Sequence, residues 1–254
     1  MTFPINIHIC NIIIDSHLFF EILAYTIGFR YYIYLKKSEK DLISEENRLW
    51  IFIGAAFGAL IFSRLLGILE NIDILSKQSN YLTFFLSSKT IVGGLLGGLI
   101  GVEITKKILK VNTSSGDLMT YPLILGIAIG RIGCFLSGVK DGTYGNETAL
   151  PWALDLGDGV YRHPTSLYEI IFLITLFSVI KYFDKNKSFS NGAKFRIFLS
   201  FYLVFRFFIE FIKPFYRFEF GLSPIQIACI IGIIYYYRVF LYPKELFMKE
   251  SDNA

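Results

Sequence analysis

Four arginines, Arg30, Arg64, Arg131 and Arg206, lie inside long apolar runs of the chain. Three of them, Arg64, Arg131 and Arg206, fall deep in three separate runs. A guanidinium near a bilayer centre costs at least about 2.5–3.5 kcal/mol unless it is paired or hydrated, so such residues mark a functional cavity by default. Guanidinium also suits bidentate phosphate contact, and the chemistry these three point to is anion binding. A plainer reading stands beside it. Arg64 can snorkel outward or pair with Glu70, and Arg206 is four residues from Glu210, the spacing of a helical ion pair.

The second polar constellation is Arg162-His163-Pro164-Thr165-Ser166-Leu167-Tyr168-Glu169. Ser166 and Glu169 have capping-box spacing and Pro164 suits the start of a helix, which accounts for those three structurally. Arg162 and His163 are left over. Of the three histidines, His163 is the one in a polar constellation, so it is the candidate base or headgroup donor.

These residues need elements to hold them. With 254 residues, 54% of them apolar and 17% aromatic, and a mean hydropathy of +0.51, the chain reads as an all-α, polytopic integral membrane protein forming one domain over 1–254. Seven candidate transmembrane helices fall near 18–35, 49–70, 89–105, 118–137, 166–182, 195–212 and 223–241. The loops 36–48, 105–117 and 181–196 and the tail from 238 carry 15 Lys and Arg, against 6 in the N-terminus and the alternate loops. That asymmetry predicts N-terminus outside and C-terminus cytoplasmic. The segment 71–88 reads as a polar outer loop, 138–165 as a longer outer loop and 184–194 as a solvated inner loop. No Lys or Arg precedes the first helix, which is expected to act as the insertion signal.

Counted from the inner ends of their helices at 1.5 Å per residue, Arg64 lies about 22 Å in, Arg131 about 20 Å and Arg206 about 17 Å. Similar depth predicts one shared cavity, open to a headgroup from the outer leaflet. The third helix carries Gly93, Gly94, Gly97, Gly98 and Gly101, two glycine ridges that let another helix or a lipid chain approach closely. Gly126 and Gly130 repeat the spacing in the fourth. Cys10, Cys134 and Cys229 are too scattered for a disulfide framework, and dispersed histidines and cysteines show no metal-ligand spacing. No cofactor is implied. Basic residues spread over the inner loops form no nucleic-acid patch.

GRIGCFLSG (130–138), PW (151–152), RHPTSLYE (162–169), FRFFIEF (205–211) and GLSPIQ (221–226), in that order, resemble the prolipoprotein diacylglyceryl transferase family. Tyr25, Arg64, GGLIG (97–101) and Asp117 match it as well, so the likeness runs from about residue 20 to 240. The resemblance implies a seven-helix enzyme of the bacterial cytoplasmic membrane. Such an enzyme moves the diacylglyceryl group of phosphatidylglycerol, or a similar anionic lipid, onto the lipobox cysteine of a secreted precursor and releases glycerol 1-phosphate. It further implies Arg131 and Arg206 as catalytic phosphate-clamping residues. Tyr25, Arg64, Gly97, Gly98, Gly130, Gly133, Arg162, Tyr168 and Glu169 are implied around the substrate.

Three positions depart from the family. The histidine expected before GGLIG is Leu96, or Val92 if the earlier glycine pair is aligned; the expected asparagine is Cys134 and the expected glutamate Val139. Neither Leu nor Val accepts a proton. Two repairs follow: His163 takes the thiol proton, or the arginine field draws the cysteine in as a thiolate. A divergent lipid transferase with another acceptor, and a non-enzymatic lipid or anion carrier, remain as competing functions.

Overall fold

The computed structural model describes residues 3–9, 12–38, 41, 43–75 and 80–247; Cys10 lies outside the described residues. A small antiparallel hairpin, β1 (Ile7–Ile9) and β2 (Ile12–Ile14), precedes α1 (Ser16–Ser38) and α2 (Glu45–Glu70). Short α3 (Ile72–Leu75) and α4 (Tyr81–Ser87) lead to α5 (Ile91–Leu109) and α6 (Asp117–Ser137), which runs on into a 3-10 turn, Gly138–Asp141. After a second hairpin, β3 (Leu154–Asp155) with β4 (Tyr161–Arg162), come α7 (Thr165–Asn186), α8 (Ala193–Ile209), α9 (Pro224–Tyr235) and α10 (Arg238–Leu241).

Each of the seven sequence-predicted segments contains a helix. By length and apolarity α2, α6 with its following turn, and α7 qualify as membrane spans, and a fourth is added if α4 and α5, bent by 81° to each other, count as one. α1 carries Glu21 and Arg30, α8 has 17 residues, and the seventh segment breaks between α9 and α10. The apolar window of α2 is only 11% covered by protein. A helix that apolar and that bare is built for lipid.

One loop expectation is corrected. The segment 71–88 is no polar loop: it folds into α3 and α4, and α4 leaves Tyr81, Leu82 and Leu86 exposed. The segment 138–165 contains the 3-10 turn and the β3–β4 hairpin.

Local chemistry sets the helix ends. The Ser44 side chain accepts from the Asn47 amide ahead of an acidic first turn, and Thr90 caps α5 by accepting from Gly93. Ser223 and Gln226 form a full capping box around Pro224. The same box predicted for Ser166 and Glu169 does not form: α7 has no side-chain cap, Ser166 Oγ lies 3.3 Å from Thr143 Oγ1, and Glu169 turns into the interior. α8 lacks a capping side chain of its own because Gly192 precedes it. Asp117 supplies one from α6, accepting from the amides of Gly192 (2.6 Å) and Phe195 (3.2 Å).

Glycine packs α2 on α5. A methyl on Gly58 would run into the Gly97 carbonyl, and one on Gly101 into the Gly54 carbonyl, so the backbones touch with no side chains between. Gly98 is different: a methyl there meets the Ala55 carbonyl at 3.6 Å and Ala59 Cβ at 3.7 Å, both ordinary contacts. The apolar core sits where α6, α7, α8 and α9 meet, with Leu173, Phe198, Leu199, Tyr202, Leu203 and Cys229 fully buried. Gly58→Val is therefore expected to destabilise the protein by about 1–3 kcal/mol or more through overpacking. Gly98→Ala should stay within about 0.5 kcal/mol of wild type; thermal unfolding in detergent compares the two, and equal effects would refute the tight α2–α5 contact.

Candidate functional site

The polar centre of the helix bundle is a carboxylate shared by two guanidiniums. Glu169 Oε2 lies 2.9 Å from Arg131 Nε and 3.2 Å from Arg206 Nη1, while its Oε1 accepts a hydrogen bond from Tyr202 Oη at 2.7 Å. The Arg131 Nε contact is an ion pair whose angle makes no hydrogen bond. Arg206 Nη2 also donates to Glu210, whose Oε1 is 3.8 Å from Lys213 Nζ. All five charged residues are at most 6% exposed. Glu70, at the end of α2, is close enough for its charge to be felt by Lys213, Glu210, Arg206 and Arg131.

The elements explain the arrangement. Tyr202, Arg206 and Glu210 recur at four-residue spacing and so line one face of α8 and the turn that continues it. Gln226, from the capping box of α9, donates to the Phe207 carbonyl at 3.2 Å and ties α9 to that helix. Arg131 approaches from α6 between two glycines with different jobs. Beside Gly130 there is open space, with nothing within 4 Å of where a side chain would begin. At Gly133 the opposite holds: a methyl would lie 2.9 Å from Phe20 Cβ and 3.2 Å from His17 Cα, so the missing side chain lets α1 close onto α6.

That closure brings in a second cluster. His17 Nδ1 lies 2.5 Å from Asp141 Oδ1 and 4.0 Å from Cys134 Sγ, and Arg131 Nη1 lies 3.7 Å from the same sulfur. Asp141 is held in turn by the Thr143 hydroxyl at 2.7 Å. On the far side of the ring, Nε2 is 3.8 Å from Glu21, which pairs with Lys89 at 2.8 Å.

The sequence-predicted residues divide. Arg131, Arg206 and Glu169 come together. Arg64 does not join them: it is half-buried, and its Nη1 donates to the Leu86 carbonyl at the end of α4. No Arg64–Glu70 ion pair occurs among the described residues. Tyr25 points outward from α1 with 73% of its surface exposed. Gly97 is occupied in the α2–α5 contact, and Gly98 beside it is uncrowded. His163 forms an outer group, its Nδ1 3.2 Å from the Tyr168 hydroxyl, which also accepts from Trp152 Nε1 at 2.8 Å. Arg162 pairs with Asp158 (2.7 Å) and lies over the Tyr144 ring at 4.9 Å; its hydrogen bond holds the Asp158 carboxyl below the ordinary range. Of the departures, Val92 is buried in the core, and Leu96 packs beside it against Gly232.

Sequence reasoning missed Tyr202, Lys213, His17 and Asp141 as neighbours of the arginines. Tyr202 was legible as the residue one turn before Arg206. His17 and Asp141 had no local signal, since more than a hundred residues separate them.

Fold and site together define a polytopic, membrane-embedded protein whose interior carries paired guanidiniums suited to an anionic headgroup. The prolipoprotein diacylglyceryl transferase family matches residues 4–242. The chain is 32% identical over 202 residues to the phosphatidylglycerol–prolipoprotein diacylglyceryl transferase of Clostridioides difficile, covering 79% of this chain and 78% of that one. The transferase of the same name from Dehalococcoides mccartyi is 31% identical over 224 residues (83% and 82%), and that of Finegoldia magna 33% over 189 (71% and 72%). The chain belongs to the prolipoprotein diacylglyceryl transferase family.

Glu169→Ala strands Arg131 in an apolar interior and leaves Arg206 with Glu210 alone, and is expected to cost about 3–5 kcal/mol of stability. Tyr202→Phe removes one hydrogen bond to a charged group and should cost about 1.5–3 kcal/mol. Denaturant unfolding in detergent measures both; a larger loss from Tyr202→Phe would contradict the shared-carboxylate account.

Proposed function

We propose that the chain transfers the diacylglyceryl group of phosphatidylglycerol to the lipobox cysteine thiol of a prolipoprotein and releases glycerol 1-phosphate, in the bacterial cytoplasmic membrane. The observation that carries this reading is that Arg131 and Arg206 share one buried carboxylate, that of Glu169. Family membership supports it. In this reaction the thiolate attacks a glyceryl carbon, the carbon–oxygen bond breaks, and negative charge gathers on the departing phosphate. Donors fixed in advance, in a dry site, stabilise that charge most. Arg131 and Arg206 do so, held in place by Glu169, Glu210 and Tyr202. The open space beside Gly130 gives the headgroup room next to Arg131.

The outer group of His163, Tyr168 and Trp152, with Arg162, is read as contacting the glycerol headgroup or the precursor. Arg64 and Tyr25, away from the arginine pair, are read as lining lipid access between helices. α1, α2, α5, α6, α7, α8 and α9–α10 are read as seven crossings with the N-terminus outside, supported by the alternation of basic loops.

Purified protein incubated with labelled phosphatidylglycerol and a lipobox peptide should form thioether product. Arg131→Ala and Arg206→Ala should each lower turnover about 10²–10³-fold, the cost of removing one oxyanion donor. Lipid binding or flux without product would favour a carrier, and unchanged turnover in both variants would refute the phosphate clamp. A phosphatase reporter active only outside the cell should be silent when fused at the C-terminus; activity there would invert the proposed topology.

A further inference from the structure

The transfer requires an ionised acceptor thiol, and the positions where the family supplies polar side chains hold Leu96 or Val92, Cys134 and Val139. Another titratable group fills the neighbourhood. The His17 ring is separated from Arg131 by one sulfur atom, that of Cys134, which lies 4.0 Å from His17 Nδ1 and 3.7 Å from Arg131 Nη1. We propose that the Asp141–His17 pair ionises the acceptor thiol, holding it as a thiolate beside an imidazolium next to the phosphate-clamping Arg131. This rests on the transferase reading above and names the group that keeps its acceptor thiol ionised.

The geometry suits the task. Asp141 lies 2.5 Å from Nδ1, is 8% exposed in its side chain and is fixed by Thr143, so it orients the ring and stabilises its charged form. His17 itself is 30% exposed in its side chain, accessible where Asp141 is not. The charges facing the ring are Asp141 on Nδ1, Glu21 on Nε2 with Lys89 behind it, and Arg131 behind Cys134; the Asp15–Lys140 pair stands at the start of α1. Two carboxylates against the ring favour the imidazolium, the form that stabilises a thiolate. His163, by contrast, is engaged with Tyr168 in the outer group.

The balance is simple. The sulfur–hydrogen bond breaks and its proton leaves to water; the thiolate pairs with the His17 imidazolium, and the sulfur electron pair forms the carbon–sulfur bond. The carbon–oxygen bond breaks, its electrons leaving on the glycerol phosphate held by Arg131 and Arg206, and the ring keeps its proton throughout. His17, Cys134 and Asp141 also place three donor atoms within 4.8 Å of one another. A divalent cation there would displace an existing ion pair and sit against the Arg131 guanidinium, so thiolate stabilisation is the better use of the cluster.

The test compares wild type, His17→Gln and Asp141→Asn in the phosphatidylglycerol and lipobox-peptide assay between pH 6 and 9.5. His17→Gln is expected to lose about 10²-fold in kcat at pH 7, the effect of returning the thiol pKa by about two units toward its free value, with KM for the lipid unchanged. Its rate should climb tenfold per pH unit until the peptide thiol ionises by itself near about pH 8.5, closing most of the deficit, while wild type stays nearly flat. Asp141→Asn should show the same pattern more weakly. The proposal is overturned by any of four results: His17→Gln within twofold of wild type, a deficit equal at every pH, a pH-rescued deficit in His163→Asn instead, or wild-type turnover abolished by a chelator and restored by zinc. Wild type that binds lipid but never forms product would defeat the transferase reading itself, a distinct outcome.

Discussion

Everything else in the structure is arranged around one interaction, the sharing of the Glu169 carboxylate by Arg131 and Arg206. Two guanidiniums buried in an apolar bundle repel each other and resist desolvation; a carboxylate between them, with a tyrosine hydroxyl on its free oxygen, makes their coexistence tolerable. The arrangement joins three helices, because Arg131 belongs to α6, Glu169 to α7 and Arg206 to α8. It therefore cross-links them, and on the proposed function the same guanidiniums hold the phosphate. Removing charge from the centre would then cost fold and chemistry together.

Close approach is the second constraint. Glycine against carbonyl holds α2 on α5, and the bare Cα of Gly133 lets α1 settle on α6. Each contact sets where the neighbouring side chains end up. Gly133 is the clearer case, since the helix it admits carries His17 to Cys134 and hence to the edge of the arginine site. Polar function here depends on absent side chains.

How much of this was legible in the sequence follows from the range of the interactions. Helices declared themselves through apolar runs, and Arg131 and Arg206 through their cost in lipid, both properties of a local window. Glu210 was legible as the i+4 partner of Arg206. Glu169 was visible but misread: its spacing to Ser166 fits a cap, and only the fold shows that two buried guanidiniums outbid the end of a helix for that carboxylate. Arg64 was overread, because depth along a helix says nothing of the direction the side chain faces. It points to the Leu86 carbonyl, in a segment whose own helix, α4, a polar-loop reading had hidden.

The pairing of His17 with Asp141 was illegible for a deeper reason. No local pattern links the start of α1 to the turn after α6, and resemblance to a family directs attention to positions where the family keeps its polar groups. At those positions this chain has Cys134 and Val139. A membrane site that loses polar side chains cannot leave its guanidiniums facing hydrocarbon unbalanced, and it cannot ionise a thiol without a proton acceptor or a stabilising cation. Both requirements constrain the site as a volume and not any single position. The imidazole and carboxylate that meet beside Cys134 come from different points in the chain, so substitution at named positions and polar groups in the same volume are compatible.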